Sequence, residues 1–280
     1  APWIMLPPEA REAFDRLRRA GVPLAESPFG APRLGVKSGC NAAFLVRVVS
    51  SARGLATVVD ADGESGSVEC ALLRPALRGD AVRPWTRAAE DESIVWTHDD
   101  SGAPLHKLPD RARAWLQRHY GELAGRADAT GAKRWWSLFR VDAADCTAAR
   151  VVWADFGRRP RALVLKAGDP TVPLNHCYVL RCPDERDAWA IAALLNSPLA
   201  ASWLNALAEP ARGGYHRYLG WTVGQLPLPA DWAEARVVLC DAARRARVED
   251  GAAAVEILLE AVLTAFGLRR ADVNALLDHS

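Results

Sequence analysis

Lys37 and Ser38 stand between Gly35 and Gly39, and Asn41 follows at once, in the segment Arg33-Leu-Gly-Val-Lys-Ser-Gly-Cys-Asn-Ala-Ala-Phe-Leu-Val46. Glycine lets a backbone bend and come close to a ligand. Lysine and serine then reach phosphate oxygens, and asparagine reaches phosphate or a base edge. A nucleotide P-loop is the tempting reading, because Gly30-Ala-Pro-Arg-Leu-Gly35 has its glycine spacing. Val36, however, separates the second glycine from Lys37, the residues 25–29 before it are not a buried strand, and no helix is expected after Ser38. A triphosphate site is therefore set aside.

Further polar groups lie in three places. Arg78 and Arg83 sit in the basic loop Arg74-Pro-Ala-Leu-Arg-Gly-Asp-Ala-Val-Arg-Pro-Trp85. Arg212-Gly-Gly-Tyr-His-Arg-Tyr218 reads as a flexible loop that extends into a groove, offering Arg212, Tyr215, His216 and Arg217; arginine pairs well with guanine edges. Residues 131–166 hold eight basic and three acidic groups, Arg134, Arg140, Arg158 and Arg159 among them, interleaved with Trp135, Trp136, Phe139, Trp153 and Phe156. Basic groups among aromatics make a nucleic-acid surface, the charges meeting phosphate and the rings meeting bases. The competing reading makes the rings core and the arginines a solvated edge. Trp135 and Trp136 read as core, since large aromatics bury most area there.

Hydrolytic chemistry has one cluster, His98, Asp99 and Asp100 with His106 nearby, but Asp99-Asp-Ser-Gly102 is a turn, where aspartate serves the backbone. Asp155-Phe-Gly157 matches a kinase triplet without the companion loop and lysine strand that give it meaning. Six cysteines, at 40, 70, 146, 177, 182 and 240, form no Cys-x-x-Cys pair. Free thiols in a reducing cytoplasm, and no metal site, are the expectation.

The elements that must position these groups alternate without a regular βαβ order. The chain has 280 residues, half of them hydrophobic and a quarter charged, which suits a globular α+β protein with a sizeable core. No apolar run reaches membrane-spanning length. The start, Ala1-Pro-Trp-Ile-Met-Leu-Pro-Pro8, reads as if cut from something longer. Residues 231–280 carry nine acidic and six basic groups, net −3, against +4 for residues 1–230. Helices are expected over 9–20, from 111 to about 122 with Asp110 as cap, over 187–196 behind Asp184, over 199–208, and from 233 onward with breaks near Gly251 and Gly267. Val255, Leu258, Leu259 and Val262 mark the stripe by which the last long helix packs on a partner. Strands are expected over 43–49, 55–60, 93–96, 150–156, 162–166 and 177–181, with 223–229 as an edge strand.

Four segments in this order resemble the C-terminal target-recognition (specificity) domain of the TaqI-type adenine-N6 DNA methyltransferases of restriction–modification and phage-defence systems. Gly35-Val-Lys-Ser-Gly-Cys-Asn-Ala-Ala-Phe44 is like the family's Gly-x-Lys-Thr/Ser-Gly-x-Asn-x-Ala-Phe, and Leu73 to Trp85 is like its Pro-x-Leu-Arg-Gly segment. Leu194-Leu-Asn-Ser-Pro-Leu199 is like its Leu-Leu-Asn-Ser helix end, and Val223 to Pro229 is like its strand ending in Leu-Pro-Leu/Ile-Pro. The resemblance implies a twisted, β-helix-like arrangement of short strands with bracketing helices, followed by a C-terminal α-hairpin. It divides the chain into a DNA target-recognition domain, 1–230, and a helical hairpin, 231–280, packed on it or on the catalytic domain. It implies double-stranded DNA as partner, read while a separate domain flips out and methylates adenine. No cofactor is expected in this chain: the base-holding Pro-Pro-aromatic motif and the glycine-rich methyl-donor loop are absent, since Leu6-Pro-Pro-Glu9 and Ser27-Pro-Phe29 do not complete the former. S-adenosylmethionine would belong to the catalytic domain. The alternative is a protein-interaction domain that docks a methyltransferase or nuclease partner.

Overall fold

Every residue of the strand Ala149–Ala154 is buried, which alternation in a half-buried strand would forbid. The reason is that its sheet is a wall between two cores. Successive side chains of a strand point to opposite faces. Ala149, Val151 and Trp153 enter one core, while Val152 and Ala154 enter the other. The neighbouring strand Cys177–Cys182 divides likewise, with Leu180 and Cys182 on the first side and Cys177 and Val179 on the second. Strand Ala162–Leu165 and the short Arg33–Leu34 complete this four-stranded antiparallel sheet. Arg150 is fully buried in the wall, and its guanidinium donates to the carbonyls of Ala143, Asp169 and Thr171. Burial holds that guanidinium below the ordinary arginine range.

This computed structural model describes residues 4–89, 91–127 and 134–279. Its helices are α1 (Pro8–Arg19), α2 (Asn41–Phe44), α3 (Asp110–Gln117), α4 (Tyr120–Ala124), α5 (Glu185–Leu195), α6 (Pro198–Asn205), α7 (Gly220–Gly224), α8 (Trp232–Ala246), α9 (Gly251–Phe266) and α10 (Asn274–Leu277). The first core is the helical one. α8 and α9 pack on each other and on α5, while α1 lies against α10. Phe14 of α1 stacks on Trp203 of α6 at 4.6 Å. The second core lies under a six-stranded sheet in the order 172–173, 73–77, 92–95, 45–52, 55–59, 65–69. Its pairings are antiparallel except that of Val172–Pro173 with Ala76–Leu77. α3 covers this core through Trp115, whose indole donates to the Ala43 carbonyl at 2.9 Å.

The α+β class holds, and the departures from the expected elements are local. Asp110 is the first helical residue of α3, not its cap; the carboxylate of Glu69, from the adjacent strand, accepts from the backbone N–H groups of Arg111 and Ala112 instead. The helix expected to continue to residue 122 breaks into α3 and α4. One helical turn, α2, does open after Ser38, ahead of the strand Leu45–Ala52. Of the expected stripe on α9, Leu258, Leu259 and Val262 are buried, whereas Val255 is 38% exposed. The 223–229 segment is α7 followed by Pro227–Pro229, paired with Gly21–Pro23.

Candidate nucleic-acid interface

Residues 212–218, expected as a loop, are the turn and second strand of a β-hairpin. Glu209–Ala211 pairs with Tyr215–Arg217, and Phe156–Gly157 adds a third strand. Gly213 and Gly214 have φ of 79° and 74°, a region that favours glycine, and so close the turn behind the exposed Arg212. Phe156 lies opposite Arg217 and Gly157 opposite His216. Phe156, Tyr215 and Arg217 therefore share one face, and His216 takes the other. Phe156 and Tyr215 stack at 4.9 Å although both are exposed, and the Arg158 guanidinium lies 5.5 Å from the Tyr215 ring. Exposed stacked rings beside guanidinium groups are platforms for further stacking.

Arg161 joins this group from below. Its guanidinium is held under the ordinary arginine range by burial, then by the positive charges of Arg83 and Arg159. Tyr215 and Asp80 act in the opposite sense. Arg83 itself donates only to the backbone carbonyls of Asp80 and Val82. Among the described residues, Arg83, Arg158, Arg159, Arg161, Arg212 and Arg217 have no carboxylate within ion-pairing distance. Three sequence segments, 78–87, 156–161 and 209–217, thus assemble one basic, aromatic surface.

A second patch forms where residues 37 and 140 meet. Lys37 bridges Arg140 antiparallel, its N–H donating to the Arg140 carbonyl at 3.1 Å. The Lys37 ammonium lies 5.0 Å from the exposed Phe139 ring and the Arg140 guanidinium 5.9 Å from it. Two residues earlier, Gly35 lets the chain pass close to Leu174: a Cβ there would fall 2.0 Å from the Leu174 carbonyl oxygen. The two patches share a backbone frame. The Gly35 N–H donates to the Cys177 carbonyl, the Asp155 N–H to that of His176, and the Tyr218 N–H to that of Asp155. Burial pushes the Asp155 carboxyl up, while His176 and Arg217 oppose the shift.

Other expected contacts lie elsewhere. Ser38 is 4% exposed, and its hydroxyl donates to the Asn41 side-chain oxygen at 2.6 Å, so it faces inward rather than toward a phosphate. Asn41 and Arg78 line a cleft with Asp60, Asp62, Asp91 and Glu92. Arg78 grips Glu92 through two 2.7 Å hydrogen bonds, an acidic setting that disfavours an anion. Arg134 is tied to His106 at 2.9 Å and lies over Trp136. Trp135 and Trp136 pack against the second core. His216 has a buried, unpartnered Nδ1, and burial lowers its pKa. Lys133, within the basic window, lies outside the described residues. The hydrolytic cluster does not assemble: the Asp99 carboxylate accepts from Ser101 and Ala103 of its own turn, while His98 is buried. Sequence reasoning singled out neither Arg161 nor the exposed His176; only their tertiary neighbours mark them.

No family model and no curated protein matches the chain. Among solved structures, that of the Type IIL restriction–modification enzyme MmeI in complex with DNA is similar over 90% of this chain, at 13% identity and a TM-score of 0.60. The type IIG restriction endonuclease BpuSI is similar over 96%, at 12% identity and 0.48. This chain spans 35% of the MmeI chain and 33% of the BpuSI chain. At such identities the likeness is one of fold. No described helix is long and apolar enough to cross a membrane.

Proposed function

We propose that this chain is the sequence-specific DNA-recognition module of an adenine-N6 DNA methyltransferase of the restriction–modification or phage-defence kind. It works beside a catalytic domain, not contained in it, that holds S-adenosylmethionine and flips the target adenine. One observation carries the reading: six arginines that have no carboxylate within ion-pairing distance among the described residues lie on the segments that carry or adjoin an exposed Phe156–Tyr215 stack on a three-stranded sheet. The fold likeness to an enzyme solved with DNA, and the four motifs of the TaqI-type specificity domain, support it.

Roles follow from geometry. Arg83, Arg158, Arg159 and Arg161 are phosphate contacts, which position the duplex without reading it. Lys37 and Arg140, over the Phe139 ring, hold a second stretch of backbone. Arg212, exposed at the glycine turn, and Arg217, exposed on the face of the Phe156–Tyr215 stack, are the base readers, because arginine matches the O6 and N7 atoms of guanine. His216 supports the hairpin from its other face. Methylome sequencing of the source genome supplies the motif. Fluorescence anisotropy then compares a duplex carrying it with a scrambled one over a range of salt. Affinity is expected to fall steeply with salt, and Arg158→Glu with Arg217→Glu to abolish binding without changing the circular dichroism spectrum. Salt-independent binding, or binding that survives the double charge reversal, overturns the reading.

A further inference from the structure

The Gly35–Gly39 loop runs into a second cluster of chemically active side chains, separate from the arginine hairpin. Cys40 follows the loop, and His119 and Glu122 come from the start of α4. One donor atom from each, the thiol sulfur, an imidazole nitrogen and a carboxylate oxygen, lies within 4.8 Å of the other two. The Cys40 Sγ to Glu122 Oε2 separation is 3.2 Å. With Zn–S near 2.3 Å and Zn–N or Zn–O near 2.0–2.2 Å, a tetrahedral zinc sets neighbouring donors about 3.3–3.6 Å apart. One edge of a coordination tetrahedron is therefore nearly in place, and side-chain movements of up to roughly 1.5 Å close the others, which span no more than 4.8 Å. The spacing His119-x-x-Glu122 puts both groups on one side of a helical turn.

The Cys40 sulfur also accepts a backbone hydrogen bond from Ala43, and the other two donors are not committed elsewhere among the described residues. Among the described residues the His119 ring has no hydrogen-bond partner, and the Glu122 carboxylate meets only the Cys40 thiol. Cys40 and His119 are half-buried and Glu122 is exposed, which leaves a path for a cation and room for water as fourth ligand. The Arg126 guanidinium stands beside Cys40 but is spent on the carbonyls of Ser38 and Ser137. A thiolate and a carboxylate together neutralise a divalent cation, so the bound site carries no net charge beside Arg126. A sulfur, a nitrogen and an oxygen donor select zinc over magnesium or calcium, which take oxygen ligands.

We propose that Cys40, His119 and Glu122 bind a thiophilic divalent cation of the zinc class, with water completing the site, and that the cation staples the Lys37-bearing loop to α4. On binding, the Cys40 S–H bond breaks, its proton passes to solvent and its electron pair forms the sulfur–metal bond. The inference is independent of the DNA reading.

The test uses the full chain, reduced and stripped with EDTA, titrated with cobalt(II). One equivalent is expected to raise a thiolate-to-cobalt charge-transfer band that zinc(II) then abolishes. The band should vanish in Cys40→Ser, weaken about tenfold or more in affinity in His119→Ala, and persist in Cys70→Ser, which alters a cysteine outside the cluster. Zinc should raise the melting temperature of the unaltered chain and leave that of Cys40→Ser unchanged. Two variants guard against misfolding of either, checked by circular dichroism. Absence of the band from the folded, unaltered chain overturns the proposal, as does a band of equal strength in Cys40→Ser.

Discussion

On the helical side of the molecule, Arg16 binds Asp272 and Glu12, Arg236 reaches Asp184 and Asp187, and Arg270 grips Glu256 and Glu260. Around the hairpin, Arg83, Arg158, Arg159 and Arg161 meet a ring, carbonyls and each other instead, and Arg212 and Arg217 have no carboxylate within ion-pairing distance among the described residues. The formal charges of residues 1–230 and 231–280, +4 and −3, are too small to distinguish such behaviours. Pairing distinguishes them. A guanidinium satisfied by its own chain holds elements together; one left without a counter-ion beside like charges gains most from an anion that arrives from outside. Arg150, in the wall between the cores, is a third case, bonded to carbonyls away from water.

The largest expected effect breaks the wall. Arg150→Met leaves buried carbonyls unsatisfied and should cost about 3 kcal/mol or more in urea unfolding. A loss under about 1 kcal/mol would mean that the guanidinium holds neither core in place. Next, replacing Arg158, Arg159 and Arg217 together by alanine should lower duplex affinity about a hundredfold. It should also reduce the slope of log affinity against log salt by about 1.8, if Arg158 and Arg159 each meet one phosphate and Arg217 a base. Melting temperature should not move, and a drop of many degrees would place these arginines with the structural ones.

The reverse experiment is Arg236→Ala. It should cost about 0.5–1 kcal/mol of stability, since its pairs are partly exposed, and leave anisotropy titrations with DNA unchanged. Tyr215→Ala removes one ring of the exposed stack and the support it gives the Arg158 guanidinium, and should weaken duplex binding by about 0.5–1 kcal/mol; an unchanged affinity would reduce the stack to hairpin packing. The smallest effect concerns pH. Burial lowers the His216 pKa, so the unfolded chain takes up a proton more readily than the folded one. Stability should therefore fall as pH drops below about 6.5, the unfolded value, and level off below the folded pKa. His216→Asn should flatten that slope in melting scans between pH 7.5 and 5.5.

Particular residues show how much was legible in the chain. The long helices and the core strands were, because apolar periodicity and breakers are local signals: α5 starts behind Asp184, which caps it by accepting from the Arg186 N–H, and α9 ends at Gly267, which adopts φ 63°. The hairpin at 209–217 was not, because its strands are three residues each, polar, and paired to Phe156–Gly157 more than fifty positions away. Glu69 as the cap of α3 was hidden for the same reason, an interaction across 42 residues. Ser38 had the chemistry of a phosphate ligand but not the exposure, which depends on what packs over it.

By itself the sequence determined the class of the fold, the basic and aromatic inventory, and the glycines that let Gly35 pass Leu174 and the hairpin turn at Gly213. These follow from local propensity and from the number of charges, both encoded residue by residue. Tertiary structure alone decided which arginines lack a carboxylate partner among the described residues, which ring pairs face water, and that Cys40, without any cysteine motif, stands beside His119 and Glu122. The physical reason is distance: a counter-ion, a stack or a ligand set is a relation over a few ångströms between groups that here lie tens of residues apart, and only tertiary packing brings them together.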